Sequence, residues 1–335
     1  VKTRLRLSGF VSSSTFSAVC AALGFAVAAC GVATTGHPIG GGGSAGSGGG
    51  GSAGSGGGGS AGSGGGGSAG GGGGSDAAPL SGDGGTADTG AGKRGIAYEF
   101  KSDTDLAAFG KSVSWWYNWA PQPDAGVTSA NVEFVPMVRT GTFDVDKLAA
   151  SIPAGARYLL TFNEPNFGTQ ANLTPAQAAA LWPKIEALAS KRGLKIVSPA
   201  LNYCGGNCNE TDPFVWLDNF FAACTGCRVD YIAMHWYACT GSALTWYLGK
   251  YESKYTQPLW LTEFSCLDNV TISDTLESQY LQDALKILES DPRVFRYSWF
   301  TGRWTQNPVV NLLAAGSGQL SSLGQSYVDF SVATM

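Results

Sequence analysis

Between residues 94 and 300 short apolar runs alternate with polar loops and amphipathic stretches. Eight of these runs have the length and aromatic or β-branched content of strands: 94–100, 113–119, 132–138, 157–163, 195–201, 230–237, 259–264 and 295–300. Several are apolar at nearly every position, which suits parallel strands covered on both faces. Helical spacing of apolar residues predicts helices at 144–152, 174–192, 212–224, 243–255 and 274–290. The clearest opens on Thr174-Pro175-Ala176-Gln177, a capping box with proline in the first helical position. Eight strands with interposed helices over roughly 240 residues predict a single (β/α)8 TIM barrel at 93–335, with its chemistry at the C-terminal strand ends. The alternative is an open doubly wound sheet, but no Gly-x-Gly-x-x-Gly turn follows the first run.

The pattern changes upstream. Lys2, Arg4 and Arg6 precede an apolar stretch at 16–29, so residues 1–30 read as an export signal, too short and too early for a membrane span. The stretch ends in Val27-Ala28-Ala29-Cys30-Gly31, which resembles a bacterial lipobox with Cys30 as the lipidated anchor. An ordinary signal peptide with a cysteine at its cleavage site is the alternative. Residues 31–92 form a linker, and from Gly40 to Ser75 they are almost pure Gly, Ser and Ala in an eight-residue repeat. With nothing to bury and the largest backbone entropy to lose, such a segment stays a disordered coil with an r.m.s. reach of about 40–50 Å. The expected product is an exported lipoprotein of a bacterial cell envelope, facing outward and touching the membrane only through its N-terminus.

Composition adds two things. All ten Trp and all twelve Tyr fall after residue 92, while charged residues make up 14% of the chain. A ring-rich, sparsely charged domain suits carbohydrate, whose C–H faces pack on aromatic rings, and a purely internal aromatic core accounts for part of the same count. The net charge of −4 and the lack of any basic run argue against nucleic acid.

Histidine is nearly absent. His37 lies in the linker and His235 in the domain, so zinc sites built on paired histidines are excluded. A Ser-His-acid triad would need His235, and no Gly-x-Ser-x-Gly elbow is present. Carboxylates remain. The fourth run ends in Asn163-Glu164-Pro165, and Pro165 biases Glu164 toward the last extended position. The seventh ends in Thr262-Glu263-Phe264. Two strands each bringing a Glu to one rim is what glycosidic cleavage by paired carboxylates requires. His235 and Tyr237, two apart on the sixth strand, share a face. For His235 a direct sugar contact and a core histidine satisfied by a neighbour are both open. Glu99, at the end of the first run, either supports the site by a hydrogen bond or is solvated. Asp124, Glu133 and Asp230 lie in loops or at strand starts and read as solvated or capping.

The second run, Val113-Ser114-Trp115-Trp116-Tyr117-Asn118-Trp119, carries four aromatics. Alternation separates Trp115, Tyr117 and Trp119 from Trp116 and Asn118, without saying which set faces the cleft. One or two of these rings are expected to form the sugar platform, and Trp116 is taken as a candidate.

Three phrases in order, Leu160-Thr161-Phe162-Asn163-Glu164-Pro165-Asn166, Ala233-Met234-His235-Trp236-Tyr237 and Trp260-Leu261-Thr262-Glu263-Phe264, resemble glycoside hydrolase family 128. This is a family of the retaining (β/α)8-barrel clan that acts on β-1,3-glucans. The resemblance covers essentially all of 93–330. It implies Glu164 as general acid/base, Glu263 as nucleophile, Asn163 on the 2-hydroxyl of the sugar at the cleavage point and Tyr237 aiming Glu263. It also implies a place under that sugar for Trp299, whose alternative is the barrel interior. No metal or cofactor is expected, and the partner would be a β-glucan polysaccharide or oligosaccharide met by a monomer. The reading is a retaining endo-β-1,3-glucanase. Its alternatives are another β-glycan specificity, since the carboxylates do not encode linkage, and a non-catalytic glycan-binding surface lipoprotein.

Six cysteines lie in the domain, and export permits disulfides. Cys239 and Cys266 follow neighbouring strands on one rim and should pair. Cys204 and Cys208 follow the fifth strand on that rim, whereas Cys224 and Cys227 end a helix at the opposite face, so Cys204–Cys208 and Cys224–Cys227 should be local bridges. A redox role for Cys224 and Cys227 and a zinc site at Cys204 and Cys208 are the other readings.

Overall fold

The computed structural model describes residues 92–129, 131–267 and 272–331. The segment 1–30 with Cys30, and 31–92 apart from its last residue, lie outside the described residues. Nine strands are assigned there: β1 Arg94–Ala97, β2 Trp115–Tyr117, β3 Glu133–Phe134, β4 Met137–Val138, β5 Tyr158–Asn163, β6 Lys195–Ala200, β7 Ile232–Trp236, β8 Leu259–Phe264 and β9 Val294–Trp299. All strand pairings are parallel. One sheet runs β3-β2-β1-β9-β8-β7 and the other β4-β5-β6. The fold is therefore α/β with parallel sheets.

The predicted strand 132–138 is split into β3 and β4, and the reason is local. Val135 still donates its N–H to Trp116 O of β2 at 2.9 Å, while the carbonyl of Pro136 accepts from Leu160 of β5 at 2.9 Å. Pro136 has no N–H of its own, so the ladder changes partner across this pair of residues. At the other end of the small sheet, β6 meets β7 through isolated parallel bridges, Val197 with Tyr231 and Leu201 with Met234.

The helices are α1 Asp103–Ala107, α2 Val145–Ser151, α3 Pro175–Arg192, α4 Pro213–Ala223, α5 Gly241–Lys254, α6 Asp274–Ser290 and α7 Ser322–Asp329. In α3 both arms of the capping box form, and Gly193 ends the helix in the left-handed region at φ 68°. Helices α1 and α7, of five and eight residues, lie outside the helices predicted from periodicity. Among the described residues no helix is long and apolar enough to cross a membrane.

The large apolar cluster joins outward strand side chains to the helices, and a second cluster is drawn from inward ones, among them Trp115, Tyr117, Met137, Tyr158, Leu160 and Trp260. Buried Arg296 lies beneath this inner layer of rings, 4.8 Å from the Tyr158 centroid and 5.0 Å from that of Trp260.

The end of β5 departs from expectation. Glu164 is not extended: its φ is 40°, and Phe162 two residues before has φ 28°. The β5–β6 register slips twice, between Leu159 and Thr161 and between Thr161 and Asn163. The bulged chain then turns, with Glu164 N–H donating to Ala200 O at 2.9 Å and Phe167 N–H to Glu164 O at 2.9 Å. The preference that Pro165 imposes on its neighbour is overridden by this turn. Left-handed backbone at a non-glycine residue costs about 1–3 kcal/mol and persists where the surrounding structure enforces it.

Candidate active site

Three strand ends converge. β5 delivers Glu164, β7 delivers His235 with Tyr237 one residue beyond the strand, and β8 delivers Glu263. Register pairs His235 with Glu263 across β7 and β8, after a slip between Met234 and His235. Nδ1 of His235 lies 3.0 Å from Oε1 of Glu164 and 3.5 Å from Oε2 of Glu263. One oxygen of each carboxylate and the imidazole nitrogen fall within 4.8 Å of one another. All three residues are buried.

Glu263 is held from three sides. Tyr117 donates its hydroxyl to Oε1 at 3.0 Å, Trp119 its indole N–H to the same oxygen at 2.8 Å, and Tyr237 its hydroxyl to Oε2. Burial first, and the charge of Glu263 second, push both phenols well above the ordinary tyrosine range, so they stay protonated and donate. This fits an anionic carboxylate aimed as a unit. The three clustered groups could offer ligand atoms to a cation, but the donors already on Glu263 describe a hydrogen-bonded anion.

Burial raises the carboxyl pKa of Glu164 above the usual glutamate value, and the hydrogen bond from His235 only partly offsets this. Repulsion from Glu263 adds to the rise, and the nearby charge of Arg139 opposes it. For His235 burial pushes downward, but the charge of Glu263 and the bond to Glu164 carry the net shift upward. Its Nε2 is buried without a partner. His235 thus bridges the two carboxylates, the second of its two open roles in the sequence.

Asn163 is buried beside Glu164 and donates from Nδ2 to Oε1 of Gln170 at 3.3 Å. Two aromatic expectations are corrected. Trp116 is 1% exposed and packs edge-on against Phe100 and Phe134 in the outer core. Trp299 is fully buried between Phe264, Tyr280 and Tyr327 and donates to Val310 O at 2.8 Å, so it takes its interior alternative. Alternation was right about the sets; Tyr117 and Trp119 belong to the inward one. Around the carboxylates the rings are Trp119, Tyr237, Phe300 and Trp304, linked by edge contacts through Phe300. Glu99 is exposed and pairs with Lys101 at 3.3 Å, outside the carboxylate cluster, which matches its solvated alternative.

The cysteines pair as Cys239–Cys266, Cys204–Cys208 and Cys224–Cys227, with Cα separations of 4.5, 6.1 and 5.4 Å. The first ties the loop after β7 to the loop after β8, where Leu267 also donates its N–H to Tyr237 O at 2.9 Å. Behind it, fully buried Glu277 of α6 accepts the Cys266 N–H at 2.9 Å.

Residues 95–327 match the glycosyl hydrolase catalytic core family. The structure also aligns with a subgroup II GH128 endo-β-1,3-glucanase from Sorangium cellulosum at 48% identity and TM-score 0.68, over 71% of this chain and 98% of that one. The chain belongs to glycoside hydrolase family 128. It is a glycoside hydrolase, and the carboxylates just described lie in its matched core. A subgroup I GH128 endo-β-1,3-glucanase from Amycolatopsis mediterranei, crystallised with laminaritriose, aligns at 30% identity and TM-score 0.59, over 70% of this chain and 98% of that one. The Alkali-sensitive linkage protein 1 of Schizosaccharomyces pombe is 30% identical over 249 residues, 71% of this chain; the chain spans 44% of the length of that curated relative.

Four residues of this GH128 site were not singled out from sequence. Tyr117 and Trp119 were present in the aromatic run and needed only the choice of face. Arg139, just past β4, and Gln170, in the loop after β5, carry no sequence signal of their own.

Proposed function

We propose that this GH128 enzyme is a retaining endo-β-1,3-glucanase that works by double displacement. The observation that carries the reading is the pair Glu164 and Glu263, with carboxylate oxygens inside a 4.8 Å cluster. Retaining enzymes hold their carboxyls ~5–5.5 Å apart, whereas inverting ones leave ~6.5–9.5 Å for a water. Glu164, whose carboxyl pKa burial raises, gives its proton to the leaving glycosidic oxygen. Glu263 attacks the anomeric carbon and forms a glycosyl ester while the bond to that oxygen breaks. Water then enters, Glu164 takes its proton, and the ester opens with the original anomeric configuration. Asn163 bonds the 2-hydroxyl, and Tyr237 keeps Glu263 aimed. The rings at Trp119, Phe300 and Trp304 offer the sugar its apolar contacts.

Linkage and endo action rest on likeness to the two GH128 endo-β-1,3-glucanases, one of them crystallised with laminaritriose. The two sheets are read as one closed (β/α)8 barrel, in which β3 and β4 are halves of a strand that changes partner at Pro136 and β6 meets β7 through its isolated bridges. The domain spans 93–335, behind the signal 1–30 and the linker 31–92, and acts as a monomer tethered at Cys30 to a cell envelope.

The deciding experiment follows laminarin hydrolysis by proton NMR while sizing the products. The β-anomer first, with a ladder of oligosaccharides, is expected. The α-anomer first would overturn retention, release of glucose alone would overturn endo action, and no reducing sugar from laminarin with release from another β-glycan would overturn the linkage. Acyl mass on the N-terminal peptide, lost in Cys30→Ser, tests the anchor.

A further inference from the structure

Gln170 makes two hydrogen bonds through one atom. Its Oε1 accepts from Nη2 of Arg139 at 3.2 Å and from Nδ2 of Asn163 at 3.3 Å. A guanidinium can only donate, so Arg139 fixes which end of the Gln170 amide faces inward: the oxygen. That oxygen in turn fixes Asn163, because turning the Asn163 amide over would set its Oδ1 against Oε1 of Gln170 with no proton between them. Nδ2 of Asn163 spends one N–H on Gln170, and the second is in no hydrogen bond described for this residue. Oδ1 is buried and unpartnered, so the amide gains nothing from that side to resist rotation. The backbone ties Asn163 to Arg139 and to the residue after Gln170: Asn163 N–H donates to Arg139 O at 3.0 Å, and Ala171 N–H to Asn163 O at 3.1 Å.

We infer that Arg139 and Gln170 are positioning residues that act in series to lock the Asn163 amide with its second N–H toward the 2-hydroxyl oxygen of the sugar at the cleavage point. This rests on the two-carboxylate reading above and deepens it. The chain Arg139→Gln170←Asn163 converts a fixed positive charge into the orientation of a neutral amide. A contact to the 2-hydroxyl strengthens in oxocarbenium-like transition states, so loosening the amide falls on kcat more than on KM. Neither residue need touch the sugar for this. Arg139 has a second effect, since its charge lowers the pKa of Glu164.

The test uses the full chain, one β-1,3-linked aryl oligosaccharide, and its analogue lacking the 2-hydroxyl at the cleavage point. Gln170→Leu should lower kcat on the intact substrate about ten- to thirty-fold, as loss of one oriented hydrogen bond predicts, with KM within about two-fold. On the 2-deoxy analogue wild type and Gln170→Leu should agree within about two-fold. Gln170→Glu keeps the acceptor and should keep the wild-type preference for the 2-hydroxyl, with its alkaline limb at higher pH because a charge has been added near Glu164. Asn163→Ala with Gln170→Leu should be no slower than Asn163→Ala alone. An equal loss on both substrates, or full activity in Gln170→Leu, overturns the relay. Wild-type turnover of the intact substrate that survives Glu263→Ala overturns the two-carboxylate reading instead, so the two failures are distinct.

Discussion

The indole nitrogen of Trp119 lies 2.8 Å from Oε1 of Glu263, a residue 144 positions away in the chain. Trp119 sits two residues past β2 with its backbone in the left-handed region, φ 57°. Its partner on the same oxygen, Tyr117, comes from the strand itself. Trp119→Phe removes the donor and leaves a smaller aromatic ring. It should lower kcat about ten-fold, the effect of one charge-assisted hydrogen bond, while Tm moves by no more than a few degrees. Steady-state kinetics beside a thermal melt checks this, and an unchanged kcat would remove Trp119 from the site.

The two carboxylates should fail differently. Glu263→Ala should abolish turnover of every glycoside, because it removes the proposed nucleophile. Glu164→Ala should retain the first step on substrates with very good leaving groups, which need no proton, and azide should then restore turnover as a β-glycosyl azide. Both variants keeping more than about a tenth of wild-type rate, roughly 1.4 kcal/mol of barrier, would falsify the assignment.

With Glu164 in the proposed acid role, activity should have an alkaline limb above the ordinary glutamate range, since burial raises its carboxyl and that role requires the proton. Arg139→Leu removes a charge that lowers this group, so its limb should lie at higher pH than in wild type. A limb that does not move would show that the charge of Arg139 does not reach Glu164.

Stability should carry a separate pH signature from Glu277. Burial pushes its carboxyl up to about 8, against 4.5 for the ordinary group, with the Cys266 N–H pulling weakly the other way. The folded protein therefore binds a proton that the unfolded chain gives up between those values. Stability is fully present below about 4.5 and declines as pH rises toward 8. Glu277→Gln keeps the acceptor for Cys266 and should flatten this part of the Tm–pH curve. Equal slopes in the two proteins would show that the group does not titrate there.

The Cys239–Cys266 bridge closes a 27-residue separation, and a chain-entropy estimate for such a loop is roughly 3–4 kcal/mol. It also pins the loop that carries Tyr237 next to Glu263. Replacing both cysteines by Ser should lower Tm and kcat together, whereas the same change at Cys224 and Cys227, at the end of α4, should lower Tm alone. Non-reduced peptide mapping with kinetics on both variants decides it.

Much of this was legible because it follows from repeated, local patterns. Apolar runs located the strand regions, and the capping residues Thr174 and Gln177 located α3. Glu164 and Glu263 could be named because each ends such a run. What escaped depends on a choice between equal faces or on long-range contact. Two-residue alternation sorted Trp116 from Tyr117, but only packing of α-helices on one side decides which of them meets Glu263. Trp299 carried the same ambiguity, and its ring went to the helix side. The split at Pro136 was readable in principle, since a proline cannot donate in the middle of a ladder. Gln170 lies in a loop seven residues beyond Asn163, and nothing in its neighbourhood marks it.

Two left-handed residues within three positions at the tip of β5 have an evolutionary consequence. Glycine adopts that backbone without strain and asparagine tolerates it, so position 164 is one where losing the proposed proton donor relaxes its chain. A laboratory selection scored on heat resistance alone would drift toward glycine there, enriching tougher proteins that no longer cut anything. The carboxylate at 164 survives only under selection for turnover, and a library built on this scaffold has to score both traits at once.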